Sequence, residues 1–130
     1  MQRFITTLSI GFLLFIIWII YLANTGSNSV FFDFVKTLPL GDKIGHFILF
    51  GFLTFICIIA SKYRSFQFVG IQIYYPAIFI FVFVVLEEIS QIYISSRTFD
   101  LTDLASDVIG IVIASIIAKK TKKHTFKKVI

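Results

Sequence analysis

A small set of ionisable and amide side chains could carry chemistry in this chain. The imidazole and carboxylate groups among them can exchange protons, whereas the Lys and Arg groups can stabilise negative charge. Together they could bind a charged ligand or support acid–base chemistry. The candidate residues are Asp42, Lys43, His46, Glu88, Gln91, Arg97, Asp100, Asp103 and Asp107.

The spacing of these residues is typical of helix faces. Asp42 and His46 are four residues apart, as are Asp103 and Asp107. Side chains three or four residues apart project from the same side of a helix. If these segments are helical, each pair therefore presents its polar groups in one direction.

The elements that position these residues must be largely apolar. Of the 130 residues, 58% are hydrophobic and 15% are charged, with a mean hydropathy of +0.94. Soluble domains have roughly half of their residues apolar and a quarter charged. Two Pro and seven Gly argue against disordered or collagen-like chains. The composition therefore indicates one compact membrane domain.

Four apolar runs are long enough to cross a bilayer, which takes about 20 helical residues. The third run contains Pro76, which a membrane helix can accommodate as a kink. The sequence predicts an all-α, polytopic membrane bundle of four transmembrane helices in a domain spanning residues 1–118, followed by a basic tail at 119–130. The predicted spans are 4–22, 44–60, 66–86 and 104–118.

The distribution of Lys and Arg predicts the orientation of this bundle. With four spans, nine of the twelve basic residues lie on the side of the two termini, six of them in 119–130. The positive-inside rule then places both termini in the cytoplasm and the loops at about 23–43 and 93–103 outside. The tail has no recognised nucleic-acid-binding motif, so we expect contact with lipid headgroups and no nucleic-acid partner.

In this topology, the candidate residues converge on the outer membrane boundary. A structural role explains some of them, because Asp42 could cap the second span and Asp100 and Asp103 could favour the start of the fourth. Polar groups inside apolar runs need partners in a membrane. The residues that capping does not explain, His46, Glu88, Gln91 and Asp107, therefore form either a structural hydrogen-bond network or a functional cleft. The small-residue stripe Gly110, Ala114 and Ala118 is instead typical of helix packing.

The same residues carry a family pattern. The chain contains Asp42-Lys43-x-x-His46-Phe47, Glu88-x-x-Gln91, Arg97-x-x-Asp100-x-x-Asp103 and Asp107-x-x-Gly110, in this order. The combination resembles the VanZ-like family of small bacterial membrane proteins and covers about residues 40–115. The resemblance implies a multi-pass protein of the bacterial plasma membrane whose functional residues lie in these motifs.

The family takes its name from a member associated with resistance to teicoplanin, a lipidated glycopeptide antibiotic, although many relatives lie outside resistance clusters. The family usually has Asn where this chain has Asp107. The resemblance and the topology argument select the same outer layer. An ionised Asp107 adds negative charge there and cannot donate the hydrogen bond that an Asn could.

We expect an outer cleft that binds or modifies a lipid-linked envelope precursor or a lipoglycopeptide, with apolar walls from Phe47 and Phe99. A membrane enzyme using His46 or Glu88 as acid or base is an alternative, but no established catalytic motif is present. A purely structural network is another. The expectation therefore leans towards a protein that is not an enzyme.

Cofactors and metals are not expected, although His46, Glu88 and one of Asp103 or Asp107 offer a set of groups that could bind a cation. Transport across the membrane is disfavoured because the inner halves of the spans are nearly all apolar.

Four spans in a chain of 14.9 kDa bury little surface per helix. The bilayer is therefore the main partner, with room for self-association or a larger membrane partner.

Overall fold

A computed structural model describes residues 1–26 and 30–129 of the chain. Most of the described chain is helical, with one small β-hairpin between the third and fourth helices. The elements are α1 (Gln2–Asn24), α2 (Val30–Lys36), α3 (Gly41–Ala60), β1 (Ser65–Phe68), β2 (Ile71–Tyr74), α4 (Tyr75–Ser90), a single 3-10 turn (Gln91–Tyr93) and α5 (Leu101–Val129).

Four helical segments are long and apolar enough to span a membrane. They correspond to α1, α3, α4 with its following turn, and the first 25 residues of α5. Because a helix satisfies its own backbone hydrogen bonds, such segments are stable in lipid. The prediction of an all-α bundle of four transmembrane helices is confirmed.

The predicted third span at 66–86 is wrong at its start. Residues 65–74 form an antiparallel hairpin in which Ser65 pairs with Tyr74, and the spanning segment begins at Tyr75. The hairpin turns at Val69 and Gly70, which both have positive φ. Pro76 lies in the first turn of α4 and does not kink it. Pro is favoured in the first helical turn because its missing N–H has no intrahelical partner there.

The fourth spanning helix, α5, is longer than the predicted span at 104–118. It begins at Leu101 and continues to Val129 through the basic segment. Residues 119–129 contain neither Gly nor Pro, and Lys is a good helix former. Most of the predicted tail is therefore a continuation of α5, whereas residue 130 lies outside the described residues.

Helices α3 and α5 form the closest helix pair of the bundle. A Cβ atom added to Gly110 would lie 2.6 Å from the Phe47 carbonyl oxygen, and one added to Gly51 would lie 3.3 Å from the Gly110 carbonyl oxygen. Ala114 and Ala118 are buried one and two turns further along α5. The predicted packing role of the small-residue stripe is confirmed, because only small side chains permit this approach.

The bundle has two chemically different ends. At the polar end, the last residue of α1, the start of α3, the last turn of α4 and the start of α5 meet, as the contacts of Asn24 with Arg97 and of Lys43 with Asp100 show. At the basic end, Gln2 donates to the Ala60 carbonyl and Lys122 lies over the Tyr63 ring. An apolar core that includes Ile16, Leu53 and Val84 lies between them.

Candidate functional site

The start of α5 is held against α3 by Lys43. Its Nζ atom lies 3.3 Å from Asp100 Oδ2 and 3.3 Å from Asp103 Oδ1. The Lys43 side chain is partly exposed, whereas that of Asp103 is nearly buried. One ammonium group thus serves two carboxylates and keeps the first turns of both helices together.

One turn deeper, His46 is surrounded by carboxylates. Its Nδ1 atom lies 2.9 Å from Asp107 Oδ1. Its Nε2 atom faces the other way, 3.8 Å from Asp42 Oδ1 and 3.9 Å from Asp103 Oδ2. Asp107 is completely buried, and its second oxygen, Oδ2, has no hydrogen-bond partner. The ring is therefore oriented by Asp107 on one side and presents its other nitrogen to two acids.

Glu88 connects α4 to the start of α5. Its side chain is completely buried. Oε1 accepts the backbone N–H of Asp100 at 2.8 Å, and Oε2 accepts the Gln91 amide at 3.2 Å. In a capping box, a residue of the helix itself accepts the N–H of the N-cap residue. Here the accepting carboxylate comes from α4, so Glu88 joins the end of α4 to the start of α5, the next helix along the chain.

A second group of contacts attaches the end of α1. Arg97 Nη1 donates to Asn24 Oδ1 at 2.8 Å, and Arg97 Nη2 lies 3.5 Å from Glu87 Oε1. The Gln91 amide donates to both oxygens of Glu87 at 3.1 and 3.0 Å. Ser96 adds a hydrogen bond from its hydroxyl to the Asn24 carbonyl at 2.7 Å. Arg97 is therefore positioned from two sides.

The predictions for the start of α5 are confirmed for Asp100 and for Asp103, which lies in the first turn of this helix, whereas the prediction for Asp42 is wrong. Asp100 directly precedes α5 and accepts the Thr102 N–H at 2.9 Å, which is the contact of an N-cap. The Thr102 hydroxyl and N–H, followed by the Lys43 ammonium, hold the pKa of the Asp100 carboxyl below its usual range. Asp42 does not cap α3, because the residue before this helix is Leu40 and Asp42 lies within the first turn.

Gly41 permits the approach of α2 to α3. A Cβ atom at this position would lie 2.0 Å from the Val35 carbonyl oxygen. No side chain fits there unless the backbone moves. Gly41 thus allows α2 to pack closely against the start of α3, where Asp42 lies beside His46. The position of this exposed carboxylate does not result from helix capping.

A cavity of about 560 Å³ opens beside these networks, between α1, α2, α3 and the segment after α4. Its apolar walls include Ile16, Ile20 and Leu49. The predicted walls, Phe47 and Phe99, are wrong, since Phe47 lines a separate groove between α3 and α5 and Phe99 does not line the cavity. The polar part of the lining consists of Lys36, Asp42, His46, Glu87, Ser96 and Arg97.

All nine candidate residues lie at the polar end, but they form two layers. Asp42, His46 and Arg97 line the cavity. The other six support them from behind or beside the cavity. They are Lys43, Glu88, Gln91, Asp100, Asp103 and Asp107.

Four further polar residues belong to this region and are absent from the nine candidates. Glu87 and Asn24 carry a sequence signal, because Glu87 precedes Glu88 and Asn24 ends an apolar run on the same side of the membrane. Lys36 is the last residue of the short helix α2, and Ser96 lies in the irregular segment between the 3-10 turn and α5. Nothing in their local sequence distinguishes them from ordinary loop residues.

Comparisons with known proteins connect this arrangement to a family. The sequence profile described as VanZ-LLP1: VanZ/LLP1 matches residues 4–123. Neither a search of curated proteins nor a search of solved structures found a match. The family match begins two residues into the first spanning segment and ends two residues before the end of the fourth, so it includes every residue of the two layers.

Proposed function

The chain belongs to the VanZ/LLP1 family, and from this premise we propose that it binds a lipid-linked envelope molecule in the cavity at the polar end. One observation carries the proposal. The cavity of about 560 Å³ combines apolar walls with charged groups of both signs. Its volume falls in the range of roughly 300–1,000 Å³ that is typical of ligand pockets. This combination suits an amphiphile better than a purely polar or purely apolar ligand.

Different residues of the cavity would bind different parts of the ligand. Arg97 and Lys36 can donate charge-assisted hydrogen bonds to a phosphate or carboxylate of the ligand. Asp42 and His46 can accept hydrogen bonds from hydroxyl or amide groups. The apolar side chains of Ile16, Ile20 and Leu49 receive the lipid portion, because they cover part of the cavity wall without offering hydrogen-bonding groups.

A lipoglycopeptide such as teicoplanin has the same division into a polar head and a lipid tail. We therefore propose that capture of such a drug, or of its lipid-linked target, protects the cell. Protection through this site requires both the charged groups and the apolar walls of the cavity. A glycopeptide without a lipid chain should bind more weakly, since the apolar walls then have no ligand surface to cover.

Single substitutions in an expressing strain test this proposal. His46→Ala, Glu88→Gln and Arg97→Ala should each reduce protection against teicoplanin, whereas Arg64→Ala at the basic end should not. Membrane abundance is measured by immunoblot for every variant. If all three variants at the polar end protect as well as the wild type at equal abundance, the cavity is not the functional site.

A binding measurement separates recognition from cellular effects. The full chain in lipid nanodiscs is titrated with teicoplanin and with a glycopeptide that has no lipid chain. We expect at least about tenfold tighter binding of the lipidated drug. Equal affinity for both compounds would contradict the role of the apolar walls.

One observation favours a second function, acid–base catalysis on a lipid-linked substrate. Asp107 orients His46 through a contact of 2.9 Å, and His46 lines the cavity. A carboxylate that orients an imidazole is a common arrangement for a general base. Lipid profiling of membranes with and without the protein tests this function, because an enzyme changes a product pool. A His46→Ala variant that leaves the same pools altered would exclude this residue as the base.

We further propose that the polar end faces the outside of the plasma membrane and that both termini are cytoplasmic, as the distribution of Lys and Arg indicates. Cysteine labelling tests the orientation in a Cys57→Ala background. Thr37→Cys and Thr125→Cys introduce single thiols at exposed positions near opposite ends. An impermeant maleimide should label the first in intact cells and the second only after permeabilisation. The reverse pattern would invert the orientation.

A further inference from the structure

We propose that Asp42, His46 and Asp103 bind a divalent transition-metal cation, with Zn²⁺ as the best match. One ligand atom from each of these three side chains lies within 4.8 Å of the others. The inference goes beyond ligand binding in the cavity and does not depend on it. It assigns a metal centre to a group of side chains that the cavity only partly exposes.

The distances around His46 suit a cation better than direct contacts. Asp42 Oδ1 and Asp103 Oδ2 lie 3.8 and 3.9 Å from Nε2, which is too long for hydrogen bonds. Ligand atoms at the corners of a zinc tetrahedron with bonds of about 2.1 Å are roughly 3.4 Å apart. Small side-chain rotations would therefore bring all three atoms to coordination distance.

Asp107 provides an independent indication of a ligand. Histidines that bind metals through one nitrogen commonly present the other to a carboxylate. Asp107 is completely buried, and its Oδ1 lies 2.9 Å from His46 Nδ1, the ring nitrogen that does not face Asp42 and Asp103. Its other oxygen has no hydrogen-bond partner. A buried carboxylate with an unsatisfied oxygen is costly unless nearby positive charge stabilises it.

The local charge balance favours a cation. Three carboxylates, those of Asp42, Asp103 and Asp107, face His46. The neighbouring ammonium of Lys43 contacts Asp103 through Oδ1. Oδ2 of Asp103 remains on the side of His46. Lys43 therefore neutralises part of the cluster without occupying the position between the three ligand atoms.

This ligand set differs from the one that the sequence offers, which contains Glu88. Glu88 is excluded as a ligand, because its two oxygens accept hydrogen bonds from the Asp100 N–H and the Gln91 amide. Asp42 takes its place from the first turn of α3. One nitrogen and two carboxylate oxygens form a three-residue set that leaves a fourth position open, as in catalytic zinc sites.

The open position has a route to the cavity. Asp42 and His46 belong to the cavity lining, whereas Asp103 and Asp107 lie behind them. A bound cation could therefore hold a water molecule or accept an anionic group from the cavity. Phosphate and carboxylate groups are the ligand chemistry that such a position takes.

Calorimetric titration of the purified full chain with Zn²⁺ alone tests the site, after removal of any affinity tag. We expect one Zn²⁺ per chain, with no comparable binding of Mg²⁺, because an imidazole ligand favours zinc. Co²⁺ provides a spectroscopic readout, since a coordinated ion shows d–d absorption that free Co²⁺ lacks at the same intensity. Failure to bind Zn²⁺ stoichiometrically, or equal binding of Mg²⁺, would overturn the proposal.

Variants distinguish the site from surface binding. His46→Ala should weaken Zn²⁺ binding at least about 100-fold, and Asp107→Asn about 10–100-fold as an outer-shell change. Asp42→Asn tests the site even if the other two variants fail to fold, because Asp42 is exposed and its replacement leaves no cavity. It should weaken Zn²⁺ binding at least about tenfold and lower the intensity of the Co²⁺ absorption at the same Co²⁺ concentration.

Matched controls are available at exposed positions away from the site. His124→Ala removes the other histidine of the chain and Asp33→Asn removes an exposed acid. Both should bind Zn²⁺ like the wild type. If Asp42→Asn and His46→Ala also retain wild-type affinity with unchanged helix content, the assignment is wrong. Drug binding is measured without added metal, so its failure is separate from failure of the metal site.

Discussion

The two ends of the bundle place charge in different ways. At the polar end, acids and bases from α3, α4 and α5 are paired, and Glu88 and Asp107 are completely buried. Among the side chains that the structure describes, those of residues 1–26, 30 and 32–125, every ion pair lies at this end. At the basic end, the charges have one sign, and Lys122 contacts the Tyr63 ring instead of an acid.

This contrast separates two uses of charge in a membrane protein. A buried charge needs partners at defined positions, so the polar end specifies how the helices meet and leaves a shaped cavity beside them. A charge near water or headgroups needs no defined partner. The basic end can therefore indicate orientation through the number of its Lys and Arg residues, with little dependence on their individual contacts.

The largest expected effect is that of Glu88→Ala. The change removes the acceptor of the Asp100 N–H and of the Gln91 amide and leaves a cavity. We expect a loss of about 3 kcal/mol in the free energy of unfolding. Steric-trap unfolding in bicelles measures it. Lys62→Ala at the basic end is the control, and similar losses for the two variants would remove the contrast between the ends.

Arg97→Ala should have the next largest effect. Arg97 donates to Asn24 and contacts Glu87, and hydrogen bonds to charged groups contribute about 1.5–3 kcal/mol. We expect a loss near 2 kcal/mol on this scale and faster proteolysis near the end of α1. Arg64→Ala, which removes the same group at the basic end, should be neutral. Equal proteolysis of both variants would argue against the role of Arg97 in holding α1.

Lys43→Ala should cost less than Arg97→Ala. Its contacts with Asp100 and Asp103 are partly exposed to solvent, where water and salt weaken ion pairs. The difference from the wild type should shrink as NaCl is raised during thermal unfolding. A difference that grows with salt would show that the Lys43 contacts are not electrostatic in origin.

The smallest effect is expected for Lys122→Ala. The Lys122 Nζ atom lies 5.7 Å from the centre of the Tyr63 ring, and exposed contacts of this kind contribute about 0.5–1 kcal/mol. Lys122→Arg should retain the wild-type stability in the same unfolding assay, because a guanidinium also interacts with the ring. A loss as large as that of Arg97→Ala would show that the basic end has a packing role.

The sequence was most informative where structure depends on local properties. The spans predicted at 4–22 and 44–60 lie within the observed helices α1 and α3, because a long apolar run is sufficient to specify a membrane helix. The third span was misplaced, since its first residues are apolar too. Alternation around Gln67 and Gln72 and the positive φ of Gly70 favour a hairpin there.

For the site, too, the sequence predicts the features that depend on local properties but not the contacts between helices. A rise of about 1.5 Å per residue is enough to place His46, Glu88 and Asp107 near the same membrane boundary. It does not determine the rotation of each helix about its axis. Pairing His46 with Asp107 at 2.9 Å and Glu88 with the Asp100 N–H at 2.8 Å depends on that rotation.

The amino-acid sequence by itself thus determined the membrane class, the number of spans, the family resemblance and the gathering of polar residues at one end, because these follow from hydropathy, spacing and motif order. Only the tertiary structure decided which groups pair, which residues line the cavity and which three could hold a cation. Those outcomes depend on the rotation of each helix about its axis and on close contacts such as that of Gly110 with Phe47. A shift of about 1 Å between two polar atoms is enough to break a hydrogen bond.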